Sequence, residues 1–405
     1  MNELHELLVR ATDRVESPHL EHRAVRIARR RRGRSRGAAA AVVASAMVVT
    51  VIVGVHGLDR GGSPQPAGPA TPPATSPTHD GAGTVWPEWD PREVDELPAA
   101  STQVAPDVPR SIAPPSSSPA WSSSPIGSAV VAVVQGNRAQ VLSAAGEWRT
   151  LPVDGRYPVL SLSPSGTRLA VHYRYDGTTP NHDYGVTVHD LATGIAADHP
   201  VPKGFEPYDT SGWSFLDDDT LALLSGPQAF TVDVATGAST RTSFARAPLS
   251  AALGSDGTWV TSADFTEPNV LTDYGSGTPR EVSMDRTGRL SGLQVDEGMV
   301  VGTSYEGAPF GVVVADRETL TPQYRLPVTD FEANYSNWGL GTLALADDGT
   351  VLLRVAKIGR RGGEGFRVVA WEPGTGELSV VSASALPVQA QVAYATDALT
   401  ASGAD

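Results

Sequence analysis

The stretch Leu162-Ser163-Pro164-Ser165-Gly166-Thr167-Arg168-Leu169, followed by Val188-His189-Asp190-Leu191-Ala192-Thr193-Gly194, decides how this chain folds. In the first part an apolar run enters a small turn containing Pro and Gly, and a β-rich run leaves it, which is a hairpin signal. In the second part an acid, a hydroxyl and a glycine follow a β-branched run. The carboxylate accepts backbone N–H groups, the hydroxyl returns a bond, and the glycine supplies the positive φ from which the next strand starts.

Both parts recur. The first turn returns as Phe215-Leu-Asp-Asp-Asp219-Thr-Leu221, Leu253-Gly-Ser-Asp-Gly257-Thr-Trp-Val260, Val295-Asp-Glu-Gly298-Met-Val300 and Leu345-Ala-Asp-Asp-Gly349-Thr-Val-Leu352. The second returns around Asp233, Thr236 and Gly237, Asp273 and Gly277, Asp316 and Thr319, and Glu372 and Gly376. The acids from Asp190 onward lie 43, 40, 43 and 56 residues apart, and a weaker copy at Val141-Leu142-Ser-Ala-Ala-Gly146 places Leu142 another 48 upstream. A period of roughly 40 to 50 residues with four short strands per unit describes propeller blades. A lone four-stranded blade cannot bury both of its apolar faces, so neighbours stack around an axis and the ring must close. The repeated acids, hydroxyls and glycines are therefore read as turn builders and not as a ligand site.

Six second turns predict an all-β, six-bladed propeller of four-stranded antiparallel blades over residues 126–397, with a disordered tail over 398–405. The first blade has no inner strand before Ser128, whereas Val388 to Ala395 is left over, so the C-terminal strand is expected to complete blade 1. Seven blades follow instead if Pro98 to Ile112 contributes strands.

Ser163-Pro-Ser-Gly-Thr-Arg-Leu-Ala170 with Val188-His-Asp-Leu-Ala-Thr-Gly194 resembles the WD-repeat-like propellers of bacteria, and Trp371-Glu-Pro-Gly-Thr-Gly376 keeps the tryptophan of that pattern. The resemblance implies the fold and is nearly silent on chemistry. Departures are His189 in the tryptophan position, Asp219 in place of glycine, and the insert Gly359 to Gly365 in the last blade.

Upstream the chain changes character. Ten arginines fall in the first 36 residues against five carboxylates, ending in Arg29, Arg30, Arg31, Arg32, Arg34 and Arg36. Residues 37–58 are then almost wholly apolar, long enough for a single helix across a bilayer core of about 30 Å. Arginines beside a span hold that end in the cytoplasm, so 1–36 is expected inside and the remainder outside. A cleaved signal peptide is the rival reading. Residues 59–125, rich in Pro, Ser and Thr, are expected as a largely disordered stalk. Within it Val85 to Pro98 carries Trp86 and Trp89, which dock either on the folded domain or at the membrane interface. Leu4, Leu7, Leu8, Ala11 and Val15 share one helical face in the stub 1–36, which contacts phospholipid or docks on a cytoplasmic partner. The layout resembles actinobacterial membrane proteins that accompany extracytoplasmic-function sigma factors, which implies a sigma factor as that partner.

The net charge of −14 leaves the part beyond the stub strongly acidic and argues against nucleic-acid binding. With no cysteine, thiol catalysis and thiolate zinc sites are excluded. No nucleophile-turn, phosphate-loop or zincin motif is present, and no cofactor, metal or catalytic residue is assigned. The last 206 residues hold no histidine, so imidazole chemistry would depend on His172, His182, His189 and His199. A hairpin around Asp176 to Asp183 is expected to put His172 and His189 on one face. Ser255-Asp-Gly-Thr-Trp259 is similar to the aspartate box of sialidase propellers, yet it aligns with this chain's own hairpin turn.

The expectation is a membrane-anchored, extracytoplasmic propeller that binds, senses or scaffolds without catalysis. Its partners would be membrane lipid through 37–58 and an envelope protein, peptide or glycan on a propeller face. The candidate loops there are Tyr175 to Tyr184, Tyr335 to Trp338 and Arg360 to Arg361. The alternative is a propeller hydrolase or lyase, which predicts acids or a metal at the axis.

Overall fold

Each pair of repeated turns folds within a four-stranded antiparallel sheet, and six such sheets follow one another along the chain. The computed structural model describes residues 78–79, 83–135, 138–153, 158–173, 185–205, 212–244, 248–254, 256–263, 270–275, 278–283, 289–296, 298–305, 310–329, 340–346, 348–356, 364–387 and 390–400. Blade 2 runs from inner to outer strand as Pro158–Leu162, Arg168–Tyr173, Val186–Asp190 and Ile195–His199. Blade 3 is Gly212–Phe215, Thr220–Ser225, Gln228–Asp233 and Ser239–Ser243. Blade 4 is Pro248–Leu253, Trp259–Ala263, Val270–Asp273 and Arg280–Ser283. Blade 5 is Arg289–Val295, Met299–Tyr305, Gly311–Asp316 and Pro322–Pro327. Blade 6 is Leu340–Leu345, Val351–Ala356, Glu364–Trp371 and Leu378–Pro387.

Blade 1 takes its outer three strands, Val131–Gln135, Arg138–Leu142 and Trp148–Pro152, from the start of the domain. Its inner strand is Gln391–Tyr394, antiparallel to the first of these from Gln391↔Val134 to Tyr394↔Val131. The C-terminal strand thus closes the ring. Stacking of apolar faces between consecutive blades makes the core: Leu169, Val171 and Leu151 between blades 1 and 2, Val186, Phe230 and Leu221 between 2 and 3, and Val301, Leu353 and Trp371 between 5 and 6. Those side chains are all at most 4% exposed, so six modest sheets share continuous apolar interfaces that none has alone.

Residues 83–125 correct the expectation of a disordered stalk. They form a strap along the outer edges of blades 5, 6 and 1. Thr84–Val85, preceded by its hairpin mate Thr78–His79, pairs in parallel with the outer strand of blade 5 at Tyr324 and Arg325. After the 3₁₀ helix Pro91–Glu96, Ala99 bridges Val380 and Ser111–Ile112 pairs in parallel with Ala383 and Ser384 of blade 6. Ala120 then bridges Thr150 of blade 1. Pro98 to Ile112 therefore adds to an existing blade edge, and no seventh blade forms among the described residues.

Proline lacks an N–H, so a proline-rich segment is held chiefly through its carbonyls. The ring supplies the donors. Ser382 donates to the Pro109 carbonyl at 2.6 Å, Ser384 to that of Ile112 at 3.1 Å, Gln140 to that of Pro115 at 3.0 Å and Arg138 to that of Ser116 at 2.7 Å. Apolar anchors fill successive grooves: Trp89 and Val94 between blades 5 and 6, Ala105, Val108 and Ile112 between 6 and 1, and Trp121 between 1 and 2. Trp86 and Trp89 dock on the folded domain.

The expected disordered tail is also corrected in part. Thr396–Thr400 is a short helix that buries Ala398 and Leu399, and the Asp397 N–H donates to the Pro164 carbonyl of blade 2 at 3.0 Å. No helix among the described residues is long and apolar enough to cross a membrane. The stub 1–36 with Arg29 to Arg36, the apolar run 37–58 and residues 401–405 lie outside the described residues.

Candidate functional site

The ring axis is lined by the innermost strand of each blade. Those strands read Gln391-Val-Ala-Tyr394, Pro158-Val-Leu-Ser-Leu162, Gly212-Trp-Ser-Phe215, Pro248-Leu-Ser-Ala-Ala-Leu253, Arg289-Leu-Ser-Gly-Leu-Gln-Val295 and Leu340-Gly-Thr-Leu-Ala-Leu345. They contain no Asp, Glu or His, and Arg289 is their one charged residue. Their small hydroxyls have a definite task. An inner strand is a sheet edge, and the N–H groups on its open side need partners other than a strand. Ser161 Oγ of blade 2 accepts from the Phe215 N–H of blade 3 at 3.0 Å, and Ser250 Oγ of blade 4 accepts from Leu293 N–H of blade 5 at 3.1 Å. From the second strand of blade 4, Ser262 Oγ donates to the Leu290 carbonyl of blade 5 at 2.5 Å, and from the inner strand of blade 6 Thr342 Oγ1 donates to the Gly292 carbonyl of blade 5. The axis is a hydroxyl-and-backbone surface that locks blade to blade.

The histidines are also committed to packing. In blade 2 His172 pairs with Val186 and His189 with Leu169, which puts the two imidazoles on opposite faces of the sheet. This overturns the expectation that they share a face. His172 points toward blade 3, where its Nε2 accepts from the Trp213 N–H at 3.3 Å. Burial pushes its pKa down to about 4, so it is a neutral acceptor at pH 7. His189 faces blade 1 and stands edge-on to Trp121 of the strap with ring centroids 4.9 Å apart. Burial holds it at about 4 as well, against the opposing charge of Asp198. His182 and Asp183 lie outside the described residues, and no group of three metal-ligating side chains occurs among the described ones.

At the second turns Asp190 Oδ1 accepts the N–H groups of Ala192 and Thr193 at 3.0 and 2.9 Å. Asp233 Oδ1 accepts from Thr236 through both N–H and Oγ1 at 2.7 Å. Asp316 makes the same pair with Thr319 at 2.7 and 2.8 Å, and those bonds hold its carboxyl below the usual range. Asp273 accepts from Gly275 N–H at 2.9 Å, while Gly277 lies outside the described residues. In the last blade Thr375 Oγ1 donates to Glu372 at 3.2 Å. Gly194, Gly237 and Gly376 all have positive φ. In the Asp316 turn the left-handed position falls to Leu320, at φ 57, whose fully buried side chain joins the core of blades 4 and 5. Sequence reading missed this residue because it looks for glycine there.

Two of these turns have a second duty that the sequence does not announce. A Cβ on Gly376 would lie 2.5 Å from the Trp86 ring, and Trp86 donates its indole N–H to the Pro373 carbonyl at 2.8 Å. A Cβ on Gly194 would lie 3.3 Å from Pro125. The strap therefore seats on the turns of blades 6 and 2. Between blades 4 and 5 the nearly buried Arg317 reaches Asp273 at 2.8 Å and Asp256 at 3.8 Å. Between 2 and 3, Arg168 pairs with Asp219 at 2.8 Å. The candidate binding loops Tyr175 to Tyr184, Tyr335 to Trp338 and Arg360 to Arg361 lie outside the described residues.

No family model matches the chain, and no curated protein matches it. Solved structures do. TolB from Acinetobacter baumannii is 14% identical over 65% of this chain and 66% of that one, with a TM-score of 0.44. The β-propeller domain of the trilobed protease from Pyrococcus furiosus is 10% identical over 61% and 75%, with a TM-score of 0.41. A chain of the mitotic checkpoint complex is 10% identical over 84% and 90%, with a TM-score of 0.42. The likeness is one of fold.

Proposed function

We propose that this chain is a non-catalytic binding or scaffold propeller, held at a membrane by residues 37–58 and displayed on the extracytoplasmic side. The observation that carries the non-catalytic reading is the composition of the axis: six inner strands without a carboxylate or an imidazole. The hydrolase or lyase alternative expects acids or a metal there, because general acid–base or metal-assisted hydrolysis needs titratable or ligating groups facing one cavity. His172 and His189 of blade 2 cap an amide and pack a tryptophan.

The tethered reading rests on the apolar run beside Arg29 to Arg36 and on the strap. Residues 83–125, which lead into the ring, are clamped to three blades, as suits a domain carried on its N-terminal side. Its ligands would be a peptide, glycan or envelope protein on a propeller face, and residues 1–36 would face a cytoplasmic partner such as a sigma factor. Protease added to intact cells should degrade an epitope placed after residue 400 and spare one placed before residue 10. Protection of the C-terminal epitope until the cells are lysed would end the topology. Hydrolysis of model glycosides, lactones or peptides by the purified chain would end the non-catalytic reading.

A further inference from the structure

We propose that the strap 83–125 is a mechanical clamp, which takes tension from the N-terminal tether into blades 5, 6 and 1 and keeps it off the seam where the ring closes. The inference rests on the tethered reading above and adds how the tether is borne.

The seam is the vulnerable joint. In blades 2 to 6 successive strands are covalently continuous, whereas in blade 1 the inner strand Gln391–Tyr394 meets Val131–Gln135 through four register pairs and no connecting chain. Tension delivered directly to residue 128 would act on Val131–Gln135, the strand that holds the C-terminal one. The strap intercepts it. A pull from upstream first meets Thr84–Val85 on blade 5, where Trp86 and Trp89 donate backbone N–H groups to the carbonyls of Arg325 and Pro327 at 2.9 Å. Next come Ala100 and Val380 N–H groups, each bonded across the strap–blade 6 joint at 2.8 Å, and the Asp95–Arg367 ion pair at 2.7 Å. On blade 1, Thr150 N–H donates to the Pro119 carbonyl at 2.9 Å. Just before the ring proper, the N–H groups of Ile126 and Gly127 share the Leu191 carbonyl, and Ala129 N–H reaches that of Gly166, both on blade 2. The strap thus bridges the seam from outside and fixes the chain on both sides of it. Parallel pairing along the blade edges loads several of these bonds together, and each tryptophan must leave a buried groove before the strap can advance.

Because the chain has no cysteine, two introduced thiols are unique attachment points. Ser76→Cys lies upstream of the strap, and Thr240→Cys lies on the exposed outer strand of blade 3. The detergent-solubilised full chain, held by DNA handles at these sites in magnetic tweezers, should lengthen in two stages at constant force. The first should release residues 78–125, about 160 Å of chain at roughly 3.4 Å per residue, with the ring intact. The second is ring opening. Trp89→Ala should shorten the dwell before the first stage at least tenfold and leave the second dwell unchanged. Arg367→Gln, a milder change that leaves the buried anchors in place, should shorten the first dwell by a smaller factor. A first step longer than the strap's contour, or a first dwell that neither variant moves, would overturn the clamp. Cell-surface proteolysis judges the topology separately: a clamp that holds on a domain facing the cytoplasm refutes the tether alone.

Discussion

Replacing Gly376 by alanine imposes two costs that a second turn separates. Gly376 has φ +77 and Gly146, in the equivalent turn of blade 1, has φ +80. An L-residue in that left-handed region costs about 1–2 kcal/mol, so both substitutions carry that penalty. Around Gly146 a new Cβ would meet nothing within 4 Å. At Gly376 it would stand 2.5 and 2.6 Å from two atoms of the Trp86 ring, well inside van der Waals contact. The ring cannot retreat without loosening its indole bond to the Pro373 carbonyl at 2.8 Å and its packing beside Trp371 and Tyr324. Overpacking of this kind costs about 1–3 kcal/mol and a lost hydrogen bond about 1 kcal/mol. Gly376→Ala is thus expected to destabilise by about 3–6 kcal/mol and Gly146→Ala by about 1–2 kcal/mol. In a Trp86→Ala background the Gly376→Ala cost should fall to that of Gly146→Ala, a coupling of about 2–4 kcal/mol. Denaturant unfolding followed by far-UV circular dichroism and tryptophan fluorescence measures all four corners of the cycle. Equal costs in the two turns, or a Gly376→Ala cost indifferent to Trp86, would refute the claim that this turn is a seat for the strap.

Three further outcomes are expected. His172 and His189 have pKa values lowered by burial from 6.5 to about 4, so between those values the unfolded chain binds more protons than the folded one. Their contribution is complete above about pH 6.5 and is lost as pH falls toward 4, at roughly 3 kcal/mol per imidazole; a His172→Gln/His189→Gln variant should show a flatter denaturant midpoint against pH, and an unchanged slope would contradict the assignment. Arg317→Met leaves Asp273, whose side chain is 15% exposed, with Arg280 at 3.2 Å as its cation, and should cost about 1.5–3 kcal/mol; adding Asp273→Asn should recover part of that loss, and purely additive effects would mean the pair does not couple. Deleting residues 388–405 removes the inner strand of blade 1 and should abolish a monodisperse folded species in size-exclusion chromatography, whereas deleting 401–405 should leave elution and unfolding midpoint unchanged.

The ring was legible because its signal is periodic: a turn of the same kind recurs once per blade, with acid, Thr and Gly all present in blades 2, 3 and 6 and a partial copy in the others, and a leftover C-terminal strand matched a blade short of one. The strap was not, because its contacts obey no period. It touches each blade edge for only a few residues, crosses to the next, and is anchored by isolated residues such as Trp89, Val108, Ile112 and Trp121 in a proline-rich background. A signal was present nonetheless, since a solvated stalk has no use for three tryptophans, Trp86, Trp89 and Trp121. The histidine geometry failed for a different reason. Faces alternate residue by residue, so a face assignment needs the exact register, and the pairing His172↔Val186 leaves His189 opposite Leu169, on the other face. At the axis, the residues that cap the inner strands are ordinary serines and threonines whose partners belong to the neighbouring blade, which no local motif can reveal.

The outer edges of the blades show that the strap belongs to the design of the ring. Blades 5 and 6 end in Pro322–Pro327 and Leu378–Pro387, which bring Tyr324, Leu326, Val380, Val381 and Leu386 to the joint and are bounded by proline. Blades 2, 3 and 4 end in Ile195–His199, Ser239–Ser243 and Arg280–Ser283, mostly small, hydroxylated or charged. A sheet edge offers unpaired backbone groups to any passing strand, and a protein guards it either by covering it or by making it polar. Here the two methods divide the ring. The covered edges of blades 5, 6 and 1 carry Tyr324, Leu326, Leu378, Leu386, Trp148 and Leu151, and that of blade 6 runs to ten residues, as suits a permanent cover, whereas the uncovered edges hold no Trp, Tyr or Leu and are mostly polar, as suits contact with water. Ile195, 64% exposed, is the one large apolar side chain among the described residues that departs from this division. Large apolar side chains thus lie on the edges that the strap covers and, Ile195 apart, not on the others, so the sequence of the propeller already presupposes the segment that wraps it.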